Sequence, residues 1–156
     1  MQAYHYTDLN AFRSILADEA LLSHCARRAR ELAATKGGTF EEHLKRLEGE
    51  PNRSDYKREI SVYLSHEPDR STIEGVVSEA QTKFEMVVIG FEFPDSVNKE
   101  DPNCGYVRVS PSLSLEYMTE VYAQKPVLPE VKRLLKTSHG GKYKKTPVKE
   151  WKPAKP

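Results

Sequence analysis

Three side chains with chemistry to offer fall on stretches that read as β-strands. They are His5 in Ala3-Tyr4-His5-Tyr6-Thr7, Tyr63 in Glu59-Ile60-Ser61-Val62-Tyr63-Leu64-Ser65, and Glu120 in Tyr117-Met118-Thr119-Glu120-Val121-Tyr122-Ala123. An imidazole, a phenol and a carboxylate can each hydrogen-bond a ligand, and a rigid strand holds such a group in place better than a loop does. Each also has a plainer reading: His5 as a half-buried strand histidine, Tyr63 as a packed sheet aromatic, Glu120 as a solvent-facing strand acid. The chain contains no Gly-rich phosphate loop, no Cys/His/Asp cluster at metal-ligand spacing and no G-x-S-x-G elbow. His24, His43, His66 and His139 stand in polar surroundings and read as surface histidines.

The elements that must position these residues are legible from periodicity. After the His5 strand, Asp8 is placed to cap a helix whose stripe is Leu9, Phe12, Ile15 and Leu16. Ala20-Leu21-Leu22-Ser23 returns as an extended piece. His24 to Gly49 reads as two helices broken at Lys36-Gly37-Gly38, the second capped by Thr39 with Glu42 three residues on. Arg27, Arg28 and Arg30 on the first of them read as a phosphate contact or as ordinary surface charge. The Tyr63 strand, with Ile60, Val62 and Leu64 on one face, leads through a turn into a helix ending near Gln81. Phe84 to Phe93 contains the nearly continuous apolar run Met86-Val87-Val88-Ile89, the pattern of a central strand. A short strand at Gly105 to Val109 and a connector at Ser112 to Glu116 precede the Glu120 strand. Pro126-Val127-Leu128-Pro129 then opens a short helix to about Lys136, ended by Gly140-Gly141.

A length of 156 residues fits one domain, with 38% hydrophobic and 30% charged residues. No run approaches the ~18 apolar residues of a membrane span. The N-terminus lacks the features of a signal peptide, and the isolated Cys25 and Cys104 form no disulfide framework, so a reducing cytoplasm is expected. Net charge is +1, divided as +5 on residues 139–156 and −4 on the rest. The division predicts a domain over 1–138 and a basic C-terminal tail over 139–156. That tail reads either as an electrostatic arm for nucleic acid or as a solvated terminus broken by Pro147, Pro153 and Pro156. Trp151 favours some packed or stacked structure there.

Together, three short motifs resemble the ADP-ribosyltransferase superfamily. The His5 strand, Thr7, the short helix ending in Ile15-Leu16 and the return strand are similar to the opening of the DarT-type DNA-modifying toxins and of the RNA 2′-phosphotransferases. Ile60-Ser61-Val62-Tyr63-Leu64-Ser65 resembles the Tyr-x-Ser strand of the diphtheria-toxin and poly(ADP-ribose) polymerase branch. Thr119-Glu120-Val121-Tyr122 with Val127-Leu128-Pro129-Glu130-Val131 resembles the family's final Glu strand. The three occur in the family's order and span most of the chain. The departure is the helix after Tyr63, where Ile73, Val76 and Val77 stand in place of a second tyrosine.

The resemblance implies an α+β fold, a split β-sandwich with flanking helices and an NAD cleft between two small sheets, the helices of residues 27–49 lying over it. It implies NAD as substrate and transfer of ADP-ribose with release of nicotinamide. Glu120 would be catalytic, binding the 2′-hydroxyl of the nicotinamide ribose. His5 would bind a ribose, Thr7 would help hold the nicotinamide, Tyr63 would stack on its ring, and Ser65 would bond nearby. The DarT-like opening and the basic tail point to a nucleic-acid acceptor, DNA or RNA, with Lys142, Lys144, Lys145 and Trp151 as contacts. A bacterial cytoplasmic or delivered toxin, with a neutralising antitoxin protein, is the implied setting. A protein acceptor, an RNA 2′-phosphotransferase and a non-catalytic nucleic-acid-binding module are the alternatives.

Overall fold

A computed structural model describes residues 1–49, 62–64, 83–97, 107–109 and 112–151, with the side chains of Tyr63 and Arg108 excepted. Ser65 and the helix expected before Gln81 lie outside the described residues. The first elements follow the sequence pattern closely. Strand β1 (Gln2–Asp8) runs into helix α1 (Leu9–Asp18), and the Asp8 carboxylate accepts the Ala11 N–H at 2.7 Å. That bond satisfies one of the donors a helix start leaves open. Phe12, Ile15 and Leu16 are buried. Glu19 ends α1 at φ 54°, its N–H bonding back to Ile15 and Leu16, which turns the chain into β2 (Ala20–Leu22). Ser23 caps α2 (His24–Lys36), and the Thr39 hydroxyl caps α3 (Phe40–Glu48) through the Glu42 N–H. Helices α2 and α3 share a small core of Cys25, Ala29 and Leu47, with Leu32, Phe40 and Leu44 packed against it.

The four-stranded sheet has the order β1, β4 (Met86–Glu92), β7 (Met118–Ala123), β8 (Val148–Glu150). β4 is a central strand, and its side chains from Met86 to Phe91 are buried, as its apolar run requires. The first three strands are antiparallel neighbours, whereas β8 lies parallel to β7. A parallel neighbour needs a long crossover. Helix α4 (Leu128–Thr137) is carried within that crossover, followed by a turn at Ser138–Gly141 in which His139 and Gly140 take positive φ.

Among the described residues there are also two small antiparallel sheets. β3 (Val62–Leu64) pairs with β5 (Val107–Val109), and β2 pairs with β6 (Ser112–Ser114). The connector expected at Ser112 to Glu116 is thus partly a strand: Leu113 sits opposite Leu21, and both are buried. Val62, Leu64, Val107 and Val109 join Ala3, Val87, Ile89, Phe91, Val121, Ala123 and the stripe of α1 in one apolar core. The described part of the C-terminal segment is built into the domain through β8 and Trp151. Among the described residues no helix is long and apolar enough to cross a membrane.

Candidate functional site

Register decides which side chains can meet. Tyr4 lies opposite Gly90, and Gly90 lies opposite Glu120. Residues directly opposite in a ladder share a face of the sheet, and successive residues of a strand alternate faces. Tyr4, Tyr6, Val88, Gly90, Glu120 and Tyr122 therefore occupy one face. His5, opposite Ile89, and Thr7, opposite Val87, occupy the other. That second face is the one that carries Ala3, Val87, Ile89, Phe91, Val121 and Ala123 of the main core, and Thr7 is buried there. The pleat carries the Glu120 carboxylate to the opposite face from His5 and Thr7. The backbone of Tyr63 lies opposite Arg108 in the small β3–β5 sheet.

Around Glu120 the structure assembles a compact polar group. The Tyr122 hydroxyl donates to Glu120 Oε1 at 2.8 Å, and Lys149 Nζ donates to Oε2 at 3.3 Å. The Glu120 side chain is 16% exposed, whereas that of Lys149 is 59% exposed. Lys149 Nζ also lies 5.8 Å from the Tyr122 ring centroid, within reach of a cation–π contact. Gly90 lets Glu120 and Tyr4 approach the backbone closely: a Cβ there would come within 2.8 Å of Glu120 Cγ and 3.3 Å of Tyr4 Cε1. Burial pushes the Tyr122 phenol up to about 12, helped by its hydrogen bond to Glu120 and by the charges of Glu120 and Tyr4. Tyr4 is raised in the same direction, by burial first and by the Glu120 charge second. Both phenols therefore remain protonated donors near neutral pH. A carboxylate has about four acceptor positions on its two oxygens, so two bound donors leave room for a ligand hydroxyl.

The C-terminal residues divide by what they touch. Lys142 is held by Glu19 at 2.7 Å, and the Tyr143 hydroxyl donates to the same Glu19 oxygen at 2.7 Å. His139 Nε2 lies 2.7 Å from the Leu16 carbonyl, tying this turn to α1 rather than leaving it as a plain surface histidine. Trp151 is 4% exposed and packs with Tyr4, Tyr6, Met86 and Val88, so its ring is not offered to a nucleic-acid base. Its placement follows from apolar area: the indole covers the outer face of the sheet where β8 ends. Lys144 and Lys145 remain exposed, and Lys144 shares an open groove with Lys132, Lys136 and Thr146. Arg30 pairs with Asp18, a structural contact, while Arg27 and Arg28 are exposed on α2.

Four members of the Glu120 group were not singled out from sequence: Tyr4, Gly90, Tyr122 and Lys149. Two had a signal. Tyr122 stands two residues from Glu120 and so shares its face in any strand, and a glycine inside an apolar strand marks a close approach. Lys149 had none, because its position depends on the pairing of β8 with β7.

No family model and no curated protein matches this sequence. Comparison with solved structures finds DarT proteins over 96% of this chain. Thermosipho africanus DarTG in complex with ADP-ribose superposes with TM-score 0.53 at 12% identity, and this chain spans 49% of its length. Thermus sp. 2.9 DarT in complex with NAD+ gives 0.52 at 11% identity over 94% of its length. The same protein in complex with ADP-ribosylated ssDNA gives 0.55 at 11% identity over 93%. In fold, this chain is similar to the DarT ADP-ribosyltransferases.

Proposed function

We propose that this protein is an NAD-dependent ADP-ribosyltransferase that modifies a nucleic acid, single-stranded DNA in the first instance, with Glu120 as the catalytic residue. The observation that carries the reading is a carboxylate of low exposure on the central sheet, held through both oxygens, in a chain with the DarT fold. The neighbours' complexes with NAD+ and with ADP-ribosylated ssDNA supply the substrate and acceptor classes.

The chemistry asks for such a group. The bond from C1′ of the ribose to the nicotinamide nitrogen breaks, and its electron pair leaves with neutral nicotinamide. Positive charge then develops on C1′ and the ring oxygen, as in glycoside cleavage. A fixed carboxylate bound to the neighbouring 2′-hydroxyl stabilises that charge without reorganising. A nucleophilic atom of the acceptor bonds C1′ and gives up its proton. Tyr63 and Ser65 are retained as contacts to the nicotinamide side. His5 and Thr7 belong to the edge strand β1, so in this reading they serve the nucleotide portion that passes that edge. Lys144 and Lys145 are the tail residues best placed for acceptor phosphates. A neutralising antitoxin belongs to the same proposal.

The test is transfer of label from NAD to single-stranded DNA, RNA and lysate protein, with Glu120→Gln as control. Nicotinamide release with label on DNA, reduced at least ~100-fold in the variant, is the expected result. Label confined to protein replaces the acceptor. Folded wild-type protein that releases no nicotinamide with any acceptor overturns the enzymatic reading.

A further inference from the structure

The Glu120 carboxylate is reached by two side chains that no role in NAD binding requires. Tyr122 approaches from the same strand, two residues away, and Lys149 approaches from the neighbouring strand β8, in the basic C-terminal segment. Their contacts fall on different oxygens, Oε1 and Oε2, so together they fix both the rotation of the carboxylate plane and its direction. A glutamate has three side-chain torsions and sits in a strand against a residue without a Cβ, so packing from Gly90 alone does not hold it. We propose that Tyr122 and Lys149 are positioning residues for Glu120, which makes strand β8 part of the working site. The inference rests on Glu120 being the reacting carboxylate.

The two residues differ in kind. Tyr122 is part-buried with Glu120 and makes the shorter bond. Lys149 is largely exposed and its bond is longer. A lysine is a flexible point charge with three rotatable donors. Tyr122 therefore sets the carboxylate's orientation, and Lys149 keeps the second oxygen from turning to solvent until a ribose hydroxyl arrives.

The test measures kcat and KM for nicotinamide release in Tyr122→Phe, Lys149→Gln and Lys149→Arg, with thermal melting of each. Tyr122→Phe removes one oxygen atom and leaves the ring packing. Its kcat is expected to fall about 10-fold, with KM for NAD within about two-fold, because misorientation acts on the reacting geometry rather than on binding. Lys149→Gln is expected to lose about five-fold in kcat and Lys149→Arg to recover most of it. Combining Tyr122→Phe with Glu120→Gln should cost no more than Glu120→Gln alone, since residues that act as a unit are not additive. A Tyr122→Phe enzyme with kcat within two-fold of wild type overturns the proposal. A second readout needs no turnover: spectrophotometric titration of the tyrosines in wild type and Glu120→Gln. Loss of the carboxylate should move one high-titrating phenol downward. An unchanged titration removes the clamp itself. A wild-type protein that shows this downward shift but releases no nicotinamide rejects the enzymatic reading and leaves the clamp as a structural pair.

Discussion

Replacing Gly90 with alanine is the sharpest probe of the Glu120 group, because it adds one methyl at a site where the backbone tolerates it. Gly90 is in strand β4 and does not take positive φ, so alanine brings no conformational penalty. The new Cβ would stand 2.8 Å from Glu120 Cγ, whereas carbon atoms rest comfortably at about 3.5–4.0 Å. Glu120 must therefore retreat by about 0.7–1.2 Å. The obstructing atom is Cγ rather than the carboxylate end, so a simple swing of the head group does not relieve the contact. Overpacking of this kind costs about 1–3 kcal/mol. Reduced freedom of the unfolded chain returns about 0.4–1 kcal/mol. The net loss is then at most about 2.6 kcal/mol, and Tm falls by no more than about 10 °C in a domain of this size. A displacement of about 1 Å at a reacting group costs on the order of 100-fold in rate. The expected result is a folded protein whose kcat for nicotinamide release falls about 30- to 100-fold while its melting point falls by no more than about 10 °C. The assay is steady-state nicotinamide release at 25 °C beside a thermal melt. Gly90→Ala with kcat within about three-fold of wild type would refute the reasoning, because Glu120 would then not be acting from the position seen here.

Trp151→Ala removes the indole that covers Tyr4, Tyr6, Met86 and Val88, and it should destabilise the fold by about 3–5 kcal/mol, seen as a Tm lowered by about 6–20 °C. Residual nucleic-acid binding of the folded fraction should be unchanged, which separates packing from base stacking. The double variant Lys144→Gln/Lys145→Gln leaves the fold intact and should lower the dependence of log binding constant on log salt for single-stranded DNA by about 1.4, at roughly 0.7 per phosphate contact; an unchanged slope removes both lysines from the interface. Arg133, and after it Arg13, hold the Glu130 carboxyl down from its ordinary 4.5 to about 2. A depressed carboxyl stabilises the fold above its unfolded pKa and loses that contribution as pH falls through the folded value. Tm should therefore decline between about pH 4.5 and pH 2 with a slope that is shallower in Glu130→Gln, and equal slopes would contradict the assignment.

The parts of the fold that sequence made legible are those whose causes are local. Asp8 and Thr39 cap the helices they precede, Phe12, Ile15 and Leu16 form the buried stripe of α1, and the break at Gly37-Gly38 separates α2 from α3. The central position of β4 followed from its unbroken apolar run. β6 and β8 were missed because each is three residues long and is defined by a partner far away in the chain. A short segment such as Val148–Glu150 has no periodicity of its own to read.

The candidate site divides in the same way. That Glu120 sits on a strand, with Tyr122 on its face, is fixed by sequence through the two-residue repeat of a strand. That His5 and Glu120 point to opposite faces is fixed only by register, since a slip of one residue of β1 or of β7 against β4 would reverse it. Charge alone assigned the C-terminal lysines to a single arm. The tertiary structure gave Lys142 to Glu19, Lys149 to Glu120 and Lys144 to an open groove. Sequence determines which groups a chain carries and which local face each shares. Only long-range pairing, driven by burial of Val148 and Trp151 beside β7, decides which of them meet.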